Sequence, residues 1–164
     1  MANTDNQCKD LKVTNYFKEN GYEGNKNSLN DLYSLQESTQ KMYFDNQGQK
    51  QFKDFNIGDV VNYLMVTEHA IVDELHEMMD AVGGIDDGVG NAAWKPWKGT
   101  HKDIRKKKLS DLSPGDLKEL KMEFIDVMHF VFNAGLAIGV TPDELYNYYI
   151  SKNEENWDRQ KRGY

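Results

Sequence analysis

A single cysteine, Cys8, leaves no partner for an internal disulfide, which fits a reducing compartment. No apolar run reaches the ~18 residues that a membrane-spanning helix requires. The N-terminus is too polar to act as a signal peptide, so a soluble protein of the cytoplasm is expected. Positive charge is also in deficit. The 20 Lys and Arg stand against 27 Asp and Glu, and the resulting net charge of −7 argues against non-specific coating of nucleic acid. One short basic run, Arg105 to Lys108, is weak evidence for such binding in an acidic chain. There is no Gly-x-x-x-x-Gly-Lys-Ser/Thr phosphate loop, no paired Cys-x-x-Cys and no Ser/His/Asp set. Strand-like alternation, internal repeats and a clear domain linker are missing as well.

What remains is helical. The 164 residues are enough for one domain with a real core. Residues 1–27 are polar, with few apolar anchors, and are expected to be partly mobile; residues 28–164 carry the domain. Leu29, Leu32, Leu35 and Met42 fall near helical spacing and predict a first helix from Leu29 to about Tyr43, with Ser28 and Asp31 at its start. Leu64, Ile71, Leu75, Met78 and Val82 form one apolar stripe and predict a second helix from about Asp59, stopped at Gly83-Gly84. Ser113, Pro114 and Asp116 predict a capped start to a third helix, whose middle is apolar on nearly every side. Thr141, Pro142 and Glu144 repeat that cap for a fourth helix. The expected fold is therefore all-α, a helical bundle of about four main helices. A long Gly/Trp/Lys-rich loop joins helices two and three, and loops of that length are commonly functional.

The chemistry-bearing residues are acidic and come in pairs. Glu74 and Glu77 stand three apart on the second helix, as do Glu123 and Asp126 on the third, and an i, i+3 pair projects from one face. Either pair alone reads most simply as a solvated helix face. Glu123 and Asp126 interrupt an otherwise apolar surface, however, and carboxylates there need a metal or a basic partner. Four carboxylates from two helices suit Mg²⁺, with Mn²⁺ as a substitute, better than Zn²⁺. In the loop, Trp94, Lys95, Trp97 and Lys98 either cover a hydrophobic edge with snorkelling lysines or present cations to phosphate beside a stacking ring. Lys152, Asn156 and Arg159 recur at i+4 and i+7 from Tyr148 as one polar stripe, which also suits a helix C-terminus electrostatically. His129 on its own reads as a satisfied core histidine.

Four motifs occur in order: Glu74-Leu-His-Glu77, Trp94-Lys-Pro-Trp-Lys98, Glu123-Phe-Ile-Asp126-Val-Met-His129, and Lys152-x-x-x-Asn156-x-x-Arg159-Gln-x-x-Gly-Tyr164. Over Leu29 to Tyr164 the chain thereby resembles the dimeric, all-α dUTPase branch of the nucleoside triphosphate pyrophosphatases, above all the dCTP/dUTP pyrophosphatases of tailed phages (dCTPase-dUTPase). The resemblance implies Mg²⁺-dependent hydrolysis of dCTP, dUTP or both to the monophosphate and pyrophosphate, in the host cytoplasm if the chain is phage-encoded. It implies Mg²⁺ on Glu74, Glu77, Glu123 and Asp126, with Glu74 as the general base. Substrate contacts would come from Gln36 on the base side, Trp94, Lys95, Trp97, Lys98, His129, Lys152, Asn156, Arg159 and Tyr164. Where the family often has Asn four residues after the base-side Gln, this chain has Gln40, which leaves room for cytosine. A homodimer is implied as well, and the apolar third helix points the same way. The alternatives are a related all-α pyrophosphatase with another base preference and a nucleotide-binding helical protein without turnover.

Overall fold

A computed structural model describes residues 28–82 and 106–163. The polar segment 1–27, the Gly/Trp/Lys-rich part of the loop with Trp94, Lys95, Trp97 and Lys98, and Tyr164 lie outside the described residues. Within them the chain is all-α. Helices α1 (Ser28–Gln47), α2 (Ile57–Ala81), α3 (Pro114–Ala137) and α4 (Pro142–Arg162) are joined by two short 3-10 turns, Phe52–Asp54 and Leu109–Asp111. Among the described residues no single helix is long and apolar enough to cross a membrane.

The helix starts follow their caps. Ser113 Oγ accepts from the Asp116 amide at 3.1 Å, and Thr141 Oγ1 accepts from the Glu144 amide at 3.2 Å while Glu144 Oε2 accepts from the Thr141 amide at 2.9 Å. Helix α2 begins two residues before its expected start because Asn56 caps it. Asn56 Oδ1 accepts from the Asp59 amide and Asp59 Oδ2 from the Asn56 amide, both at 2.9 Å. Lys50 Nζ also meets Asp59 Oδ2 at 2.9 Å. Helices α1 and α3 stop where Gly48 and Gly139 take φ of +62° and +75°, conformations that a side chain resists.

The described residues divide into two compact units, one of residues 65–82 and 106–131 and the other of residues 28–64 and 132–163. In the second unit, α1 buries a different face from the aliphatic stripe expected of it. Tyr33, Gln36, Gln40 and Phe44 are buried at helical spacing, whereas Leu32 and Met42 are exposed. Aromatic rings explain the choice, since each covers more area than a leucine. Phe44 stacks edge-on to Phe52 with ring centroids 5.0 Å apart and also meets Phe55 and Tyr63. That cluster also carries α1 four residues past its expected end at Tyr43. Tyr33 packs edge-on to Phe132 at 5.4 Å, and α1 also contacts α4.

Tyr33 lies directly over Gly135, and a Cβ there would run into its hydroxyl. That hydroxyl is buried and has no hydrogen-bond partner among the described residues. Gly135→Ala is therefore expected to lower stability by about 1–3 kcal/mol through overpacking. Adding Tyr33→Phe should restore most of it, because the clash and an unsatisfied buried oxygen leave together. Urea denaturation of the two single variants and the double variant measures this, and additive losses would refute the contact.

In the first unit, the apolar stripe of α2 is half-buried, with Leu75 exposed; Thr67 is the buried residue on this helix. Met65, Val66 and Val72 on α2 and Phe124, Ile125 and Val131 on α3 are likewise exposed.

Candidate metal centre

In the first unit α2 and α3 turn acids toward each other. Glu74, Glu123 and Asp126 each offer a carboxylate oxygen, and these oxygens lie within 4.8 Å of one another. The i, i+3 spacing of Glu123 and Asp126 makes two adjacent ligands of one helix face, and Glu74 supplies the third from the facing helix. Glu123 is only 4% exposed, while Glu74 and Asp126 are half-buried. Glu77, one turn beyond Glu74, is exposed and stands outside this trio, although it feels the charges of Asp126 and Glu119.

The electrostatics are those of crowded anions. Burial pushes the Glu74 carboxyl up to about 7 from its ordinary 4.5, and the charges of Glu77, Asp126 and Asp73 add to the rise. A side-chain hydrogen bond with Glu123 pulls in the opposite direction. Burial is also the first cause raising the Glu77 carboxyl, followed by Asp73, Asp126, Asp80 and Glu119. Two carboxyl groups can share a hydrogen bond only when a proton lies between them, and that proton relieves part of the repulsion between Glu74 and Glu123. A divalent cation answers the same demand more fully. The donors are all hard carboxylate oxygens, so the set fits Mg²⁺ or Mn²⁺.

Comparison with known proteins narrows the reading. No family model matches the chain, and no solved structure does. The chain is 40% identical over 109 residues to the dCTP pyrophosphatase of Enterobacteria phage LZ5, covering 65% of this chain and 63% of that protein. It is 34% identical over 109 residues to the dCTP pyrophosphatase of Enterobacteria phage T4, covering 65% and 64%. The chain is a sequence relative of phage dCTP pyrophosphatases. It spans less than two thirds of the length of these curated relatives. A third match, at 32% identity over 99 residues, is to a DNA replication protein of Enterobacteria phage T4, and takes in 59% of this chain and 25% of that protein.

The other residues expected at a site divide by unit. His129 belongs with the acids: it is exposed rather than a core histidine, and its Nδ1 lies 3.2 Å from Asp126 Oδ1. Gln36, Lys152, Asn156 and Arg159 belong to the second unit. There Gln36 is buried, and its Nε2 donates to Asn133 Oδ1 at 2.9 Å. Asn133 Nδ2 in turn donates to Gln40 Oε1 at 3.1 Å, so three buried amides form one chain. Lys152, Asn156 and Arg159 are exposed on α4, and Arg159 Nε donates to Glu155 Oε1 at 3.0 Å. Sequence reasoning passed over Glu119, which is 6% exposed and one turn before Glu123. Its spacing of four and seven residues from Glu123 and Asp126 was the available signal.

Proposed function

We propose that this chain hydrolyses dCTP, and dUTP as well, to the nucleoside monophosphate and pyrophosphate with the help of Mg²⁺. The observation that carries the reading is the convergence of Glu74, Glu123 and Asp126 within 4.8 Å, one of them buried, in a relative of dCTP pyrophosphatases. A bound divalent cation would neutralise the triphosphate and polarise the phosphorus under attack. Glu74, Glu77, Glu123 and Asp126 are the residues to hold it.

In the reaction, water adds at the α–β anhydride, the bridging P–O bond breaks, and the water's proton passes to a base. Glu74 is the chosen base by the resemblance to the family, a carboxylate held at the cation and positioned to take the water's proton. His129 steadies Asp126 through its 3.2 Å contact. Lys95, Lys98, Lys152 and Arg159 are assigned to the phosphates, where charge grows on the departing pyrophosphate. Trp94 and Trp97 are assigned to stacking, Gln36 and Asn156 to the base and sugar, and Tyr164 to the sugar or phosphates. Gln36 is held by Asn133, so its amide presents a set orientation. We assign the working unit as a homodimer, supported by the exposed Met65, Val66, Phe124 and Ile125 on α2 and α3.

The test is pyrophosphate release from each deoxynucleoside triphosphate, with Mg²⁺ and with a chelator. The expected result is turnover of dCTP and dUTP at least about 10²-fold above the purine nucleotides, lost on chelation. Absence of turnover for every nucleotide would sink the enzyme reading and leave a binding protein.

A further inference from the structure

The three buried amides of the second unit form a chain with a direction. Gln36, Gln40 and Asn133 are 8%, 8% and 4% exposed, and Asn133 on α3 stands between the two glutamines of α1. Gln36 Nε2 donates to Asn133 Oδ1 at 2.9 Å, and Asn133 Nδ2 donates to Gln40 Oε1 at 3.1 Å. Asn133 thereby commits both its polar atoms, and each glutamine keeps one. The atoms left over are Gln36 Oε1, an acceptor, and Gln40 Nε2, a donor. Neither has a partner among the described residues, and neither is sealed from solvent as the Tyr33 hydroxyl is. On side chains more than nine-tenths buried, these two atoms call for a ligand with one donor and one acceptor.

The chain also works in the opposite direction. An amide's oxygen and nitrogen are alike in size, so a half-turn leaves the packing unchanged. One amide turning alone would set two donors or two acceptors face to face in a buried place. All three turning together keep both internal bonds and exchange the ends, with Gln36 the donor and Gln40 the acceptor. The two pyrimidines differ in the same sense. Cytosine carries a donor at N4 beside an acceptor at N3, whereas uracil carries an acceptor at O4 beside a donor at N3.

We propose that Asn133 is a positioning residue for base recognition, and that concerted reversal of the Gln36–Asn133–Gln40 amides fits the same side chains to cytosine or to uracil. This rests on the assignment of Gln36 to the base made above, and adds Gln40 as the second contact. Asn133 acts through the glutamines, since both its polar atoms are already committed to them.

The experiment compares kcat/KM of the wild type, Asn133→Leu and Gln40→Met for dCTP, dUTP and the deoxynucleoside triphosphate of 2-pyrimidinone. That base bears only hydrogen at C4 and completes one of the two contacts. The wild type is expected to turn over dCTP and dUTP within about tenfold of each other, and both at least about tenfold better than the 2-pyrimidinone nucleotide. Asn133→Leu should lower both natural substrates by at least about tenfold, through KM, and the third by less than about threefold. A residue that only held the helices together would lower all three alike. Gln40→Met should close the gap in the same way, and it keeps the test open if Asn133→Leu fails to fold. An equal fall for all three nucleotides, or an unchanged gap in the folded variants, overturns the role in base recognition and leaves the hydrolase reading standing. A fall confined to one pyrimidine, or a wild type that accepts only one, overturns the reversal, because the amides then keep a single direction. No turnover of any nucleotide by the wild type defeats both.

Discussion

Replacing Glu123 by Gln is expected to reduce pyrophosphate release by at least about 10³-fold, a loss near 4 kcal/mol in the barrier, while the helices stay folded. Glu123 is the most deeply buried of the three converging acids and shares a hydrogen bond with Glu74. Glutamine has nearly the same shape, and its amide can still donate to Glu74, so packing and the side-chain bond survive. Lost is one negative charge at the point where the cation would be held most tightly. Thermal melting provides the control. Without metal the variant should melt no lower than the wild type, because one of several mutually repelling carboxylates is gone. Added Mg²⁺ should raise the midpoint of the wild type and leave that of the variant nearly unmoved. Activity within tenfold of wild type, or an unchanged Mg²⁺ response, would place Glu123 outside the working centre.

The acidic trio was legible because its determinants are local. A spacing of three on a helix fixes that two side chains are neighbours, whereas the adjacent Phe124 and Ile125 are exposed and did not mark which face turns inward. The caps at Ser113 and Thr141 were legible for the same reason. The buried face of α1 was not. Its leucines have helical spacing, yet burial follows Tyr33 and Phe44, whose partners Phe132 and Phe52 come from elsewhere in the chain. The burial of Gln36 and Gln40 likewise depends on Asn133, 97 and 93 residues away, which satisfies both amides. No local pattern announces such a partner. Glu119 lies between these cases: its phase with Glu123 and Asp126 is visible, whereas its orphaned oxygen is a property of packing.

Proton and cation compete for Glu74, and the competition predicts a stability profile whose slope depends on metal. In the metal-free protein the Glu74 carboxyl is raised to about 7, against 4.5 ordinarily. Between those values the folded state binds a proton that the unfolded state has released. Its contribution to stability is therefore full below about 4.5, falls as pH rises and is gone above about 7. Glu77, also raised, acts in the same sense. Both groups are partly exposed, so solvent screening softens the effect. A cation must displace the proton, so its apparent affinity should rise about tenfold per pH unit up to 7, roughly 10² between pH 5 and 7, and then level off. With saturating Mg²⁺ the folded state carries no proton at Glu74, so its stability should stay level over the interval in which the metal-free protein loses it. Melting curves from pH 4.5 to 8, with chelator and with Mg²⁺, resolve the two slopes. Glu74→Gln should flatten the falling metal-free slope, which separates this carboxyl from the general repulsion of a chain with a net charge of −7. Parallel slopes in chelator and Mg²⁺ would mean that Glu74 and the cation do not share a site.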